Sequence, residues 1–140
     1  VDLSRPLQIR LELGDSFLQL SGEDATVAAY LAQGGHGCIS VTANVAPAIC
    51  AALHESWRDQ DWNTFTAARD ILLPLHKTLF AETSPAPAKY CLSRLGKVQN
   101  ELRLPLVPVT KATAEKLDAA MEFAGVFKIA RGKLKKASKR

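Results

Sequence analysis

The residues able to do chemistry are few and scattered. His36, His54 and His76 fall on three separate predicted elements and make no metal-ligand spacing. Cys38, Cys50 and Cys91 are widely spaced in apolar surroundings, which suits buried thiols in a reducing cytoplasm better than a disulfide framework or a Cys-x-x-Cys site. No metal and no cofactor is expected. What remains is backbone. In Gly34-Gly35-His36-Gly37-Cys38-Ile39-Ser40-Val41-Thr42-Ala43-Asn44-Val45, a glycine-rich turn leads into a short apolar run and then a polar step. That is the pattern of a buried strand whose far end faces a site.

The elements that must position this stretch can be read in order. Ser4-Arg5-Pro6 looks like a helix start, with Ser4 as N-cap and proline near the first helical position. The strict alternation of Leu7, Ile9, Leu11 and Leu13 with polar residues favours a strand over the same segment. Phe17–Leu20 reads as a short buried strand, and Asp24 is expected to cap a helix over Ala25–Gln33 that Gly34 stops. Cys38–Val41 is the next strand, so strand, helix and strand form a βαβ unit with a parallel pair, apolar because both faces are buried. Asn44 is expected to cap a helix from about Val45 to Arg58, with Ile49, Leu53 and Trp57 on one face.

Strand signals stop there, and a boundary is placed near Gln60-Asp61. A long helix over Asp61–Ala81 carries Phe65, Ala68, Leu72, Leu75 and Leu79 inward, with a kink expected at Pro74. Ser84-Pro85-Ala86-Pro87 is a rigid connector to a helix over Pro87–Leu95, and the prolines of Leu102–Val109 keep that stretch extended. Thr110 caps a last helix through Ala124. Glu82 and Lys89 are candidates for an exposed ion pair, and Trp57 and Trp62 for packing anchors.

At 140 residues the chain has the size of one domain, with no run long and apolar enough to span a membrane, and nothing is expected to address it for export. The net charge of +4 comes from the end of the chain: seven of the 18 basic residues lie from Lys128 on, where no acid occurs, and the body carries a net −3. Basicity therefore belongs to a tail, expected to be disordered, and not to a domain surface that would bind nucleic acid.

Several short motifs, in order, resemble one family. Gly34–Val45 is similar to the G-G-x-G-V-I-S-V-T-x-N strand of dihydrodipicolinate synthases, a branch of the lysine-dependent class I aldolases that also includes N-acetylneuraminate lyase. Leu20-Ser21-Gly22-Glu23-Asp24 resembles the family's L-S-G-D-D, and Asp2-Leu3-Ser4-Arg5 resembles the residues after its K-E-A-x-G strand, where the family has a helix, so the resemblance implies a helix over Leu7–Leu13 against the alternation. Pro74–Glu82 looks like P-L-x-x-x-L-F-x-E, Glu82–Lys89 like E-x-N-P-I-P-x-K, and Leu102–Leu106 like L-R-L-P-L. Six such motifs in order at matching spacing are a specific signal. Ser84, Ala86, Ala88 and Val1 depart from the family's usual residues.

The resemblance implies an α/β fold: the C-terminal portion of a (β/α)8 TIM barrel over residues 1–60, an α-helical C-terminal domain over 61–126, and a basic tail over 127–140. A complete barrel typically needs about 250 residues, so the barrel would be incomplete. It also implies a lyase of lysine (diaminopimelate) biosynthesis that condenses pyruvate with aspartate semialdehyde through a Schiff base on a lysine, cytoplasmic and commonly a homotetramer. That lysine belongs to K-E-A-x-G, upstream of Val1, so the chain alone is expected to be inactive. The site residues carried over are Ile39, whose backbone carbonyl faces the pyruvate site, and Gly22, with Glu23 as a weaker substrate contact. An N-acetylneuraminate lyase-like or keto-acid aldolase is the alternative within the superfamily. A non-catalytic helical module with a basic nucleic-acid-binding tail, and a truncated product without function, are the alternatives outside it.

Overall fold

A computed structural model describes residues 2–127. The basic tail lies, from Lys128 on, outside the described residues. The chain divides into two compact units, Val1–Ser40 and Val41–Arg140.

In the first unit, α1 (Arg5–Leu13) is a helix, with Pro6 in its first turn where a missing N–H is harmless. The alternation that favours a strand misleads because the leucines are not burying a face: Leu11 is 77% exposed and Leu13 57%. Ser4 does not cap the helix through its side chain. Its N–H and hydroxyl both donate to Asp2 Oδ1, at 2.9 and 2.7 Å.

Strand β1 is Leu20–Ser21 and β2 is Gly37–Cys38, paired in parallel with Leu20 opposite Gly37 and Ser21 opposite Cys38. Both are shorter than expected. Phe17 and Leu18 lie outside β1 and are exposed, and Ile39 to Val41 lie outside β2. The expectation of strands buried on both faces fails: Leu20 is exposed and Gly37 and Cys38 are half-buried, with Ser21 alone of the four buried. Between them, a 3₁₀ turn (Asp24–Thr26) leads into α2 (Val27–Ala32), which packs Val27 and Leu31 inward.

In the second unit, the turn Thr42–Asn44 precedes α3 (Pro47–Arg58). Asn44 is not the helix cap; its amide donates to the Val41 carbonyl at 3.0 Å, and Pro47 opens the helix instead. Helix α3 packs on α4 (Trp62–Thr78), and α6 (Lys111–Phe123) packs on α4 and on α5 (Ala86–Arg94). Asp61 caps α4 by accepting from the Thr64 N–H, and the helix runs unbroken through Pro74. The core is Leu72, Leu75, Leu79, Leu117 and Met121, all fully buried, with Cys91 beside them in burial. Burial pushes the Cys91 thiol up to about 12, with the Asp118 carboxylate adding to the shift.

Trp57 meets Trp62 edge-on with ring centroids 5.3 Å apart, and Phe65 completes the cluster. The two tryptophans are the packing anchors expected of them. The boundary expected at Gln60-Asp61 falls inside this unit, between two helices held by that cluster. His76 is structural: it is buried, and its Nδ1 lies 2.8 Å from the Thr42 hydroxyl.

Glu82 does not pair with Lys89, whose ammonium donates to the Glu101 carbonyl. Its carboxylate instead accepts from the Thr110 hydroxyl and N–H at the start of α6, at 2.6 and 3.0 Å. The Thr110 hydroxyl, then Thr113, hold the Glu82 carboxyl below its ordinary 4.5. A depressed carboxyl stabilises the folded state fully above the ordinary value and loses that contribution as pH falls through the folded one. Thermal unfolding midpoints taken from pH 7 to pH 3 should therefore fall below about pH 4.5, and fall less steeply there in Glu82→Gln. An identical acid limb in the variant would show that the Thr110 contacts do not bind the carboxylate in solution.

Candidate functional site

The candidate site lies in the first unit, at the carboxyl ends of β1 and β2. Two further backbone bonds extend the short ladder: His36 N–H donates to the Gln19 carbonyl at 2.9 Å, and Ile39 N–H to the Ser21 carbonyl at 2.8 Å. His36 also accepts from the Gln19 N–H through Nδ1 at 3.1 Å, so it too is structural. Gln19 in turn reaches the Pro6 carbonyl through its amide at 3.0 Å, tying α1 to the strand.

The glycines before β2 have separate reasons. Gly34 has φ +89°, the left-handed conformation that ends α2. Gly35 has no room: a Cβ there would lie 2.1 Å from the Tyr30 ring and 2.9 Å from the Tyr30 carbonyl oxygen. Gly22 differs from both. A Cβ on it would meet nothing within 4 Å, so packing does not require a glycine at that position.

Gly22 and Glu23 line an open depression of about 390 Å³ together with Leu3, Arg5, Ser21 and Tyr30. Ile39 is not part of that lining. Its side chain is 72% exposed just beyond β2, and it is joined to the depression only through the bond to Ser21. The cap expected of Asp24 is supplied by its neighbour instead. Glu23 is the cap, accepting from the Ala25 N–H at 3.1 Å, while Asp24 is 4% exposed and takes the hydroxyl of Ser40 and, at 4.0 Å, the thiol of Cys38. The Asp24 contacts escape a sequence reading because they join residues 14 and 16 apart. The one signal is the i, i+2 spacing of Cys38 and Ser40, which sends both side chains to one face of an extended chain.

Among the described residues no group of histidine, cysteine and acidic side chains forms a metal cluster. No described lysine is buried either. A parallel strand, helix, strand unit together with a helical unit is the architecture of a segment of an α/β fold.

The chain belongs to the dihydrodipicolinate synthetase family, whose pattern matches residues 1–124. It is 54% identical over 126 residues to the 4-hydroxy-tetrahydrodipicolinate synthase of Rhodospirillum centenum, covering 90% of this chain and 43% of that one. To the synthase of Bradyrhizobium diazoefficiens it is 52% identical over 123 residues, 88% of this chain and 42% of the relative. Among solved structures, the dihydrodipicolinate synthase of Thermotoga maritima superposes with a TM-score of 0.82 at 34% identity, over 89% of this chain and 43% of that one. The Methylacidiphilum fumariolicum synthase gives 0.84 at 30% identity, over 94% and 44%. The chain therefore spans less than half the length of these relatives.

The two glycines at the site should answer substitution differently. Gly35→Ala should lower the unfolding free energy by about 1–3 kcal/mol, the usual cost of forcing a methyl into occupied space. Gly22→Ala should stay within about 0.5 kcal/mol, as for other surface positions. Denaturant titration of the two variants decides it, and equal losses would contradict the packing described.

Proposed function

We propose that this chain is the C-terminal part of a pyruvate-dependent Schiff-base aldolase of the dihydrodipicolinate synthase type. In this reading the parent condenses pyruvate with aspartate semialdehyde in lysine biosynthesis. The observation that carries it is the family match over residues 1–124 combined with coverage of about 43% of the curated relatives. The relatives named above are synthases, which favours this branch over an N-acetylneuraminate lyase or another keto-acid aldolase.

On this reading α1, β1, α2, β2 and α3 are the last elements of a (β/α)8 barrel, and the helical domain begins at residue 61. Gly22 lets main-chain groups approach the substrate at the exit of β1, the Ile39 carbonyl faces pyruvate at the exit of β2, and Glu23 lies at the rim. The reactive amine is another matter. A lysine forms a Schiff base only as a neutral amine, which needs desolvation or neighbouring charge. Lys77, Lys97, Lys111 and Lys116 are exposed, and half-buried Lys89 is held by the Glu101 carbonyl. This supports a chain that is inactive alone and active only with the preceding strands.

Assembly with further copies, as a tetramer, belongs to the same proposal. One solved relative, 35% identical with a TM-score of 0.83, is described as a monomeric dihydrodipicolinate synthase variant, so the oligomeric state needs its own measurement.

The test uses the chain as it stands, with and without the part of the Rhodospirillum centenum relative that precedes the matched region. Borohydride reduction in the presence of pyruvate should leave this chain without an adduct, read by mass spectrometry. Co-purified with the relative's preceding part, it should restore condensation and place a pyruvyl adduct on that partner. An adduct on a lysine of this chain, or no product from a stable pair, would overturn the reading.

A further inference from the structure

The backbone of Ile39 is the candidate that matters most in the proposed site, yet the Ile39 side chain cannot hold it in place. At 72% exposure that side chain makes little packing contact, and β2 has already ended at Cys38. Whatever fixes the Ile39 carbonyl must act through its neighbours.

Two bonds do so from either side. The Ile39 N–H donates to the Ser21 carbonyl at 2.8 Å, which fixes the peptide plane before the residue. The carbonyl itself belongs to the next peptide, Ile39–Ser40, and there the Ser40 hydroxyl donates to Asp24 Oδ1. Cys38 and Ser40 share one face of the extended chain, and the Cys38 thiol approaches the same oxygen at 4.0 Å. One carboxylate thus grips the residues before and after Ile39.

Asp24 is suited to the task by its own placement. It starts the 3₁₀ turn that follows the exit of β1 and is 4% exposed. A carboxylate withdrawn from water is retained only when its oxygens are hydrogen-bonded. Its chain position and its partners therefore join the exit of β1 to the exit of β2.

We infer that Asp24 is a positioning residue: through Ser40 it fixes the Ile39–Ser40 peptide, and with it the direction of the Ile39 carbonyl. The inference rests on the proposed reading for its meaning in catalysis, since only there does that carbonyl face pyruvate. The clamp itself is a property of this chain.

The variants are Ser40→Ala, which removes the donor, and Ser40→Thr, which restores a hydroxyl at the same place. On the chain alone, amide hydrogen exchange at Ile39 should rise about tenfold or more in Ser40→Ala, because a bond to a charged group is worth at least that factor. The amides of Val27 and Leu31 serve as the internal reference and should not change, and Ser40→Thr should exchange as the parent does. Unchanged exchange at Ile39 in Ser40→Ala, or an Ile39 amide already unprotected in the parent, would overturn the clamp.

The second measurement uses the chain paired with the preceding part of the Rhodospirillum relative. There Ser40→Ala should raise the KM for pyruvate about tenfold with little change for the second substrate, and Ser40→Thr should recover it. A pair with parental KM in Ser40→Ala would overturn the catalytic meaning of the clamp. A parental pair that makes no product counts against the aldolase reading, and the exchange measurement then decides the clamp.

Discussion

The parallel pairing of Leu20–Ser21 with Gly37–Cys38 is the constraint on which the candidate site depends. Only two residues on each side meet the strand definition, yet the ladder is flanked at both ends by further bonds, from His36 to Gln19 and from Ile39 to Ser21. A pair this short has little packing to fix its register, so the register must be set by what adjoins it. On one side that is Gly35, pressed against Tyr30 with no space for a side chain. On the other it is Asp24, holding the residues that leave β2.

Much of the helical unit is legible in the sequence because its helices obey single-element rules. Phe65, Ala68, Leu72, Leu75 and Leu79 repeat at helical spacing on α4, and all five are buried. Thr110 caps α6 as its type predicts, with its side chain accepting from the Thr113 N–H. The same rules fail for α1. Its alternating leucines carry a strand pattern, but periodicity reports a buried face, and that helix buries only Pro6. The helix there is implied by the family resemblance and not by the periodicity of its residues.

The site is less legible, for a different reason. Gly22, Glu23 and Ile39 stand out through the family motifs, and Gly22 and Glu23 do line one depression. The division of labour between Glu23 and Asp24 could not be read, because both are acidic residues before a helix and either suits a cap. What separates them is a partner strand more than a dozen residues away. Local chemistry identifies a cap, but it does not say which of two neighbouring carboxylates turns inward.

Cys91 leads in another direction. Its thiol is fully buried in the helical unit and pushed up to about 12, mainly by burial, so at neutral pH it carries almost no thiolate. Thiolate is the form that attacks alkylating reagents, and a thiol this buried meets them when the surrounding helices part. The residue is a built-in clock: its labelling rate under native conditions counts openings of the helical unit. That signal reports on the packing around Cys91, so the opening of these helices can be timed in its own right.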